Sequence, residues 1–382
     1  MIDLDEITNI FKDPFSDAIN KLEDLLSQSG RVFLLGAGCS KCANLPLTAE
    51  LTDKTLASPI LEDESKQILG AIRSLFDGAL PPAHIEDFLS ELVDMLAIVS
   101  RRATRNATNQ TLTLGGADYT EVQLSKALEQ IKRAIADVVS QTILIDTHQR
   151  FVKALHRPMR PGKVSTGQSI DYLVLNYDTI LEDALALSRV SFSDGMDGGV
   201  SGWWNPATFD RKDLGARVLK LHGSINWLEA AEGTLPYRVA ANVGLEDINA
   251  RRILIWPAST KYRETQLDPY AQLADRARRA MNPGAGGQRV LVICGYSFGD
   301  SHINIEIERA LKDSAGDLTV VAFTDDDSPS GKLKEWHESD VSEQVLIFAN
   351  KGFFHGNDIR KSDQSLLWWK FENITRILEG ER

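Results

Sequence analysis

Apolar positions recur about every 3.6 residues over long stretches of this 382-residue chain, which is the period of an amphipathic helix. Residues 1–30 show this period and predict helix, with an interruption at Pro14. The polar, glycine-containing stretch 101–118 predicts a loop. The same period predicts three further helices, over residues 65–76, 84–100 and 124–145, the last continuing towards Pro158.

Short β-branched and apolar runs without the helical period predict strands. The first, "RVFLLG" (31–36), is apolar on both faces, as in a parallel sheet covered by helices on both sides. Similar runs, several of them followed by helix signals, occupy residues 171–178, 217–223, 252–257, 289–297, 318–324 and 345–350. Strands that alternate with helices indicate βαβ units. We therefore predict an α/β fold: a Rossmann-like parallel sheet with helices on both faces and a helical insertion.

These elements predict four regions along the chain. Residues 1–30 form an N-terminal helix, and residues 31–51 together with 166–350 form the core. Residues 52–165 form the helical insertion, and residues 351–382 a C-terminal segment that packs on the core or at an interface.

Composition and charge limit the class of protein and the compartment in which we expect it. A net charge of -12 argues against a dedicated nucleic-acid binder. The acidic, polar start is unlike a signal peptide, and no apolar run approaches the roughly 20 residues of a membrane helix. Three cysteines, an odd and sparse count, fit a reducing compartment, so we expect a cytoplasmic protein. Cys39 and Cys42 have redox or metal spacing but lack a second pair, which favours small residues in a tight turn and no metal site.

Polar residues and glycines gather where four predicted strands end: Gly36-Ala37-Gly38-Cys39-Ser40, Asn176-Tyr177-Asp178, His222-Gly223-Ser224 and Gly295-Tyr296-Ser297. Ligands of open parallel sheets bind at this edge. The first group is either a phosphate-binding turn or an ordinary β-to-α turn.

The other strand ends leave alternatives open. The Asn176 amide needs a partner, which favours a ligand role. Asp178 either caps the next helix or, if Thr179 caps it with Glu182, is available for a ligand. His222 is either structural or an acid–base group.

Taken in order, the segments "GAGCSKCANLP", "LNYDTILE", "LKLHGSINW" and "CGYSFGDSHIN" resemble the motifs of the sirtuins over residues 31–325. Asn44 stands at the third sirtuin glycine, and Pro46 matches the sirtuin proline. The chain departs from the family in three places. Leu47-Thr48-Ala49 follows Pro46 where sirtuins have an acidic-Phe-Arg element. Leu175 replaces the usual glutamine, and only Cys294 follows His222, so no zinc is expected.

The helical insertion and the "GYSFGDSHIN" element are more similar to the sirtuin-like domains of bacterial anti-phage systems, which hydrolyse NAD⁺. The resemblance implies cleavage of the nicotinamide–ribose bond of NAD⁺, with Asn176 holding water and ribose, Asp178 orienting the carboxamide and His222 accepting a proton. It also implies an NAD⁺ site at Gly36, Ala37, Gly38, Ser40, Pro46, Gly295, Ser297 and Asn304. Roles for Asp300 and His302 stay open, since Asp300 is equally suited to cap a helix.

Rival functions are protein deacylation or ADP-ribosylation, and NAD⁺ or ADP-ribose sensing without turnover. The resemblance also implies a partner, a HerA-type ATPase or alternatively a short Argonaute, and self-assembly into a homo-oligomer. Contact with nucleic acid would be indirect and contact with membranes absent. Two tryptophan pairs are either core residues or interface anchors: Trp203 with Trp204, and Trp368 with Trp369.

Overall fold

The structure of the protein is a computed structural model. Within its described residues, a nine-stranded sheet forms the centre. The structure describes residues 7–27, 30–80, 82–156, 169–229, 234–240, 252–255, 268–284 and 287–381. The strands are β1 (Arg31–Leu35), β2 (Leu112–Leu114), β3 (Ala117–Tyr119), β4 (Ile170–Val174), β5 (Phe192–Ser193), β6 (Met196–Gly198), β7 (Gly202–Trp204), β8 (Ala216–Lys220), β9 (Gly223–Glu229), β10 (Tyr237–Arg238), β11 (Arg252–Ile255), β12 (Arg289–Cys294), β13 (Leu318–Phe323), β14 (Val345–Ala349), β15 (Gly352–His355) and β16 (Asp358–Lys361).

Helices cover the sheet and build the insertion. They are α1 (Ser16–Leu26), α2 (Thr48–Leu56), α3 (Asp63–Leu75), α4 (Ile85–Thr104), α5 (Glu121–Val139), α6 (Asp146–His156), α7 (Ile180–Leu187), α8 (Tyr270–Met281), α9 (Ser301–Asp313), α10 (Gly331–His337) and α11 (Phe371–Leu378). A 3-10 helix, Ala37–Ala43, follows β1. Across the described ranges, each helix is too short or too polar to span a bilayer.

The central sheet has the strand order β16-β15-β14-β13-β12-β1-β4-β8-β5. The strands from β14 to β5 are parallel, whereas β15 and β16 run antiparallel at one edge. From β1 the chain adds β4 and β8 on one side, and later β12, β13 and β14 on the other. The carboxyl ends of β1 and β12 therefore flank a switch point, where ligands of such sheets bind.

Alternation along β1 explains why both faces of the sheet are covered. Phe33 and Leu35 pack into one apolar core, with α1, α6 and α11. Val32 and Leu34 pack into a second core on the opposite face, with α8 and α9. The predicted α/β fold with a largely parallel sheet and helices on both faces is thereby confirmed.

A second, antiparallel sheet with the order β11-β9-β10-β7-β6 was not predicted. The run "RILIWP" was expected in the parallel series, but its described residues, Arg252–Ile255, pair antiparallel with β9. Gly223 has φ +83°, a left-handed conformation that turns the chain out of β8 and into β9. The rest of that run, residues 256–257, lies outside the described residues.

The helices α2 to α6 lie between β1 and β4, and α2 to α5 enclose an apolar core of their own. Two predictions here were wrong. Stretch 101–118 contains the hairpin β2–β3, because Gly115 and Gly116 both supply the positive φ that a tight hairpin turn needs. The third helix is two helices, since Leu144 N–H donates to Ala43 O (3.1 Å) and so pairs with the turn after β1. The predicted stop at Pro158 lies outside the described residues.

Candidate functional site

A cavity of about 1030 Å³ opens at the carboxyl ends of β1, β4, β8, β12 and β13. Helix α4 of the insertion and residues 369–372 near α11 complete its walls. Nearly all the predicted site residues line it: Gly36, Ala37, Gly38, Ser40, Pro46, Asn176, Asp178, His222, Gly295 and Ser297. Asn304 does not line the cavity.

The glycines of the first turn allow two strand ends to touch. A Cβ at Gly36 would overlap the carbonyl oxygen of Gly295, and a Cβ at Gly38 would lie 2.7 Å from Gly295 Cα. Gly38 N–H donates to Gly295 O (2.9 Å), which joins the ends of β1 and β12. Asn44 ends the 3-10 helix with φ 72°, a left-handed conformation that asparagine tolerates better than most residues. The turn is therefore built for close backbone contact.

Three polar side chains form a hydrogen-bonded chain between the ends of β1 and β4. Asn176 Nδ2 donates to Gly36 O (3.0 Å) and to Ser40 Oγ (2.8 Å). Ser40 Oγ donates in turn to Asp178 Oδ2 (2.7 Å), and both Ser40 and Asp178 are buried. Because the Ser40 proton points to Asp178, Ser40 orients the site rather than offering that proton to a phosphate.

This chain of bonds fixes which atom of Asn176 is available to a ligand. Asn176 donates both of its hydrogen bonds within the described residues from Nδ2. Because Gly36 O can only accept a hydrogen bond, these partners set the orientation of the amide. The half-buried amide therefore presents its Oδ1 acceptor to the cavity.

Asp178 also holds the start of α7. Its Oδ1 accepts a bond from Ile180 N–H (3.1 Å), whereas Thr179 donates its hydroxyl to Asp183 (3.0 Å). Strand β4 has ended at Val174, so Asn176 and Asp178 meet through Ser40 rather than through a shared strand face. Asp178 is thus a turn cap and a cavity residue at once.

A buried lysine supports the loop between β4 and α7. Lys220 is fully buried on β8; its ammonium group donates to Asp178 O and lies 3.5 Å from Glu182 Oε1. Burial raises the pKa of Glu182 to about 7, against the opposing effect of Lys220. Sequence reasoning missed both roles, although a lysine inside the apolar run "VLKLHG" was a visible signal.

His222 lies at the end of β8 between two carboxylates. Its Nε2 is 3.1 Å from Asp300 Oδ2, and its Nδ1 is 3.4 Å from Glu86 Oε1. Tyr177 donates its hydroxyl to the same Glu86 oxygen (3.2 Å). Burial, followed by the nearby Glu86, raises the pKa of Tyr177 well above its ordinary value, so the phenol remains a donor.

The segment after β12 is held by Asn304. Its Nδ2 donates to Phe298 O (2.7 Å), and its Oδ1 accepts from the Tyr296 hydroxyl (3.0 Å). Phe298 has φ 58°, an uncommon conformation that these bonds help to maintain. The predicted ligand residue Asn304 instead shapes the loop that carries Ser297.

Two walls of the cavity were not predicted. The insertion contributes Glu86, Asp87, Ser90 and Glu91 from α4, and the C-terminal segment contributes Trp369, Lys370, Phe371 and Glu372. Trp368 is buried and donates to Ala349 O (2.6 Å), which anchors that segment to β14. Trp204 is buried too, whereas Trp203 is 58% exposed.

The cysteines are free thiols in this fold. Burial raises the pKa of Cys42 to about 12, with Glu372 as the next cause, so this thiol is protonated at neutral pH. In the described part of the chain, no group of three or more His, Cys, Asp or Glu residues is placed to hold a metal ion.

Known proteins show limited similarity to this chain. Two solved structures resemble it with a TM-score of 0.40: a Sir2 homologue in complex with NAD, at 12% identity over 95% of this chain and 93% of the other, and a mutant Sir2 homologue in complex with ADP-ribose, at 13% identity over 94% and 95%. No curated protein matches the sequence. A family model described as a SIR2-like domain matches residues 172–343. The part of the chain that carries Asn176, His222 and Asp300 is therefore similar to a SIR2-like domain.

Proposed function

We propose that the protein is an NAD⁺ glycohydrolase that cleaves the bond between nicotinamide and ribose. One observation carries the proposal: the Asn176–Ser40–Asp178 chain and His222 meet in a single cavity beside the glycine turn. The match of residues 172–343 to a SIR2-like domain supports NAD⁺ as the substrate.

The reaction needs one nucleophile and no acid to protonate the leaving group. The oxygen of water bonds to the ribose carbon, and the carbon–nitrogen electron pair leaves with nicotinamide, whose ring loses its positive charge. One proton of the water must be removed. The products are nicotinamide, ADP-ribose and that proton.

Asn176 is suited to place the water. Its Oδ1 is the acceptor that remains for a water in the cavity, while both Nδ2 protons are held by Gly36 and Ser40. A fixed acceptor orients the water before reaction and so removes part of the entropic barrier. His222, at the next strand end, is the group that accepts the proton.

The carboxylates of the cavity suit a cationic substrate. Glycosyl transfer passes through a transition state resembling an oxocarbenium ion, whose positive charge carboxylates stabilise. Asp178, Glu86 and Asp300 all line the cavity, and Asp178 and Asp300 are buried. Charges held in a buried site act more strongly than charges in water.

The test is incubation of the purified protein with NAD⁺, followed by chromatographic separation of the products. Equimolar nicotinamide and ADP-ribose are expected. Binding of NAD⁺ without nicotinamide release would instead make the protein a sensor. A requirement for an acylated peptide would make it a deacylase. His222→Ala should abolish nicotinamide release while the protein still unfolds cooperatively.

We further propose that this activity serves anti-phage defence under control of a partner. The motifs resemble the sirtuin-like domains of such systems, and uncontrolled NAD⁺ hydrolysis would harm the host. A HerA-type ATPase, or alternatively a short Argonaute, is the proposed partner of a homo-oligomer. Native mass spectrometry and co-purification with co-expressed candidates test this assembly, and a monomer that binds neither would disprove it.

A further inference from the structure

A buried hydrogen bond joins the end of β8 to the start of α9. His222 Nε2 lies 3.1 Å from Asp300 Oδ2, and the two side chains are 4% and 5% exposed. A carboxylate accepts hydrogen bonds and donates none, so the proton in this bond belongs to Nε2. The lone pair of the neutral ring is consequently on Nδ1.

Asp300 is itself held on several sides. Its Oδ1 accepts from His302 N–H (2.9 Å) and so caps α9. The Tyr296 hydroxyl shares its one proton between Asp300 O (2.9 Å) and Asn304 Oδ1 (3.0 Å), and it accepts from Asp300 N–H (3.2 Å). The carboxylate cannot turn away from His222 without giving up the helix cap.

We infer that Asp300 is a positioning residue that fixes His222 as the Nε2–H tautomer and leaves Nδ1 to accept the proton released in hydrolysis. This inference rests on the proposed function. Each oxygen of the Asp300 carboxylate then has its own role: Oδ1 caps α9, and Oδ2 holds the imidazole. Helix capping alone does not require the Asp300 carboxylate to lie against a histidine, whereas holding the imidazole does.

A second carboxylate lies beside Nδ1, and its nearer oxygen already accepts a hydrogen bond from the Tyr177 hydroxyl (3.2 Å). Glu86 Oε1 lies 3.4 Å from Nδ1, on the side of the cavity formed by α4. As the oxygen of water bonds to the ribose carbon, the proton passes to Nδ1 and nicotinamide leaves with the electron pair. The imidazolium then has a carboxylate beside each ring nitrogen, and it returns its proton to solvent.

The two functions of Asp300 can be separated by substitution. Asparagine caps helices about as well as aspartate, so Asp300→Asn keeps α9 capped through Oδ1. Its Nδ2, however, presents a proton to His222 Nε2 and forces the proton of the neutral ring onto Nδ1. Asp300→Ser keeps a cap but has no group that reaches the imidazole.

We expect Asp300→Asn to lower kcat about 100-fold or more, the range of general base catalysis, with KM changed little. Asp300→Ser should also lower kcat, and both variants should melt near the wild-type temperature. Retained kcat in both variants would overturn the assignment.

A second readout does not depend on turnover. NMR of the protein with ¹⁵N-labelled histidine distinguishes the two tautomers, and the loss of a signal in His222→Gln identifies the ring. We expect Nε2–H in the wild type and Nδ1–H in Asp300→Asn. The same tautomer in both proteins would refute the inference. If the wild type releases no nicotinamide, the proposed function fails, while the tautomer measurement still decides the role of Asp300.

Discussion

Two walls of the same cavity are built in different ways. The strand-end wall consists of Gly36, Ser40, Asn176, Asp178 and His222, whose polar groups are tied by hydrogen bonds to one another or to buried groups. The insertion wall consists of Glu86, Asp87, Ser90 and Glu91 on one half-buried face of α4. Under the proposed function, we expect the strand-end wall to perform most of the chemistry, and the insertion wall to close the cavity and to add Glu86 beside His222.

The largest expected effect tests the strand-end wall directly. Asn176→Ala removes the acceptor for water and the two bonds that Asn176 donates to Gly36 O and Ser40 Oγ, so kcat for nicotinamide release should fall about 1000-fold. Asn109→Ala, at an exposed position outside the cavity, is the matched control and should retain full activity. Activity in Asn176→Ala within a few fold of wild type would remove the basis for assigning chemistry to this wall.

The buried ion pair beneath that wall should give the next largest effect. Lys220→Met leaves Glu182 and the Asp178 carbonyl without their buried partner, so the free energy of unfolding should fall by about 3 kcal/mol. Adding Glu182→Leu should restore most of the stability in urea unfolding. Turnover should stay low, because the Asp178 loop still lacks its support; recovery of turnover would show that Lys220 only balances charge.

A pH dependence of stability should follow from Glu182. Its pKa is about 7 in the fold against an ordinary value of 4.5, so the folded state holds the extra proton between these values. Stability should therefore decrease as the pH rises through this window, and Glu182→Gln should remove that contribution. Urea unfolding across the window measures it, and an unchanged slope in Glu182→Gln would contradict the assignment.

The smallest effects are expected on the insertion wall. Burial, with Asp94 and Asp87 nearby, raises the pKa of Glu91, so Glu91→Gln should slightly stabilise the protein at neutral pH and not in acid. Its nicotinamide release should change by less than about threefold. A loss comparable to that of Asn176→Ala would place the insertion wall in the chemistry and abolish the contrast.

The contrast between the two walls also explains which residues of the site could be predicted from the sequence. Gly36, Asn176 and His222 were predictable as cavity residues because parallel strands bring their carboxyl ends to one edge. Glu86 and Trp369 were not predictable, because the packing of α4 and of a segment distant in sequence brings them to the cavity. Lys220 lies within an apolar strand, where only its partners reveal its role. Asn304 shares the motif region, but its donor and acceptor are satisfied within the loop.

The position of residues 369–372 has a consequence for the synthesis of the protein. These residues complete the cavity, yet translation reaches them only after the whole strand-end wall has been made. Trp368, the residue before them, anchors them to β14 through its bond to Ala349 O. A nascent chain still attached to the ribosome before that point has an open site. The proposed NAD⁺ hydrolysis would thus begin only after residues 369–372 have folded against the strand-end wall.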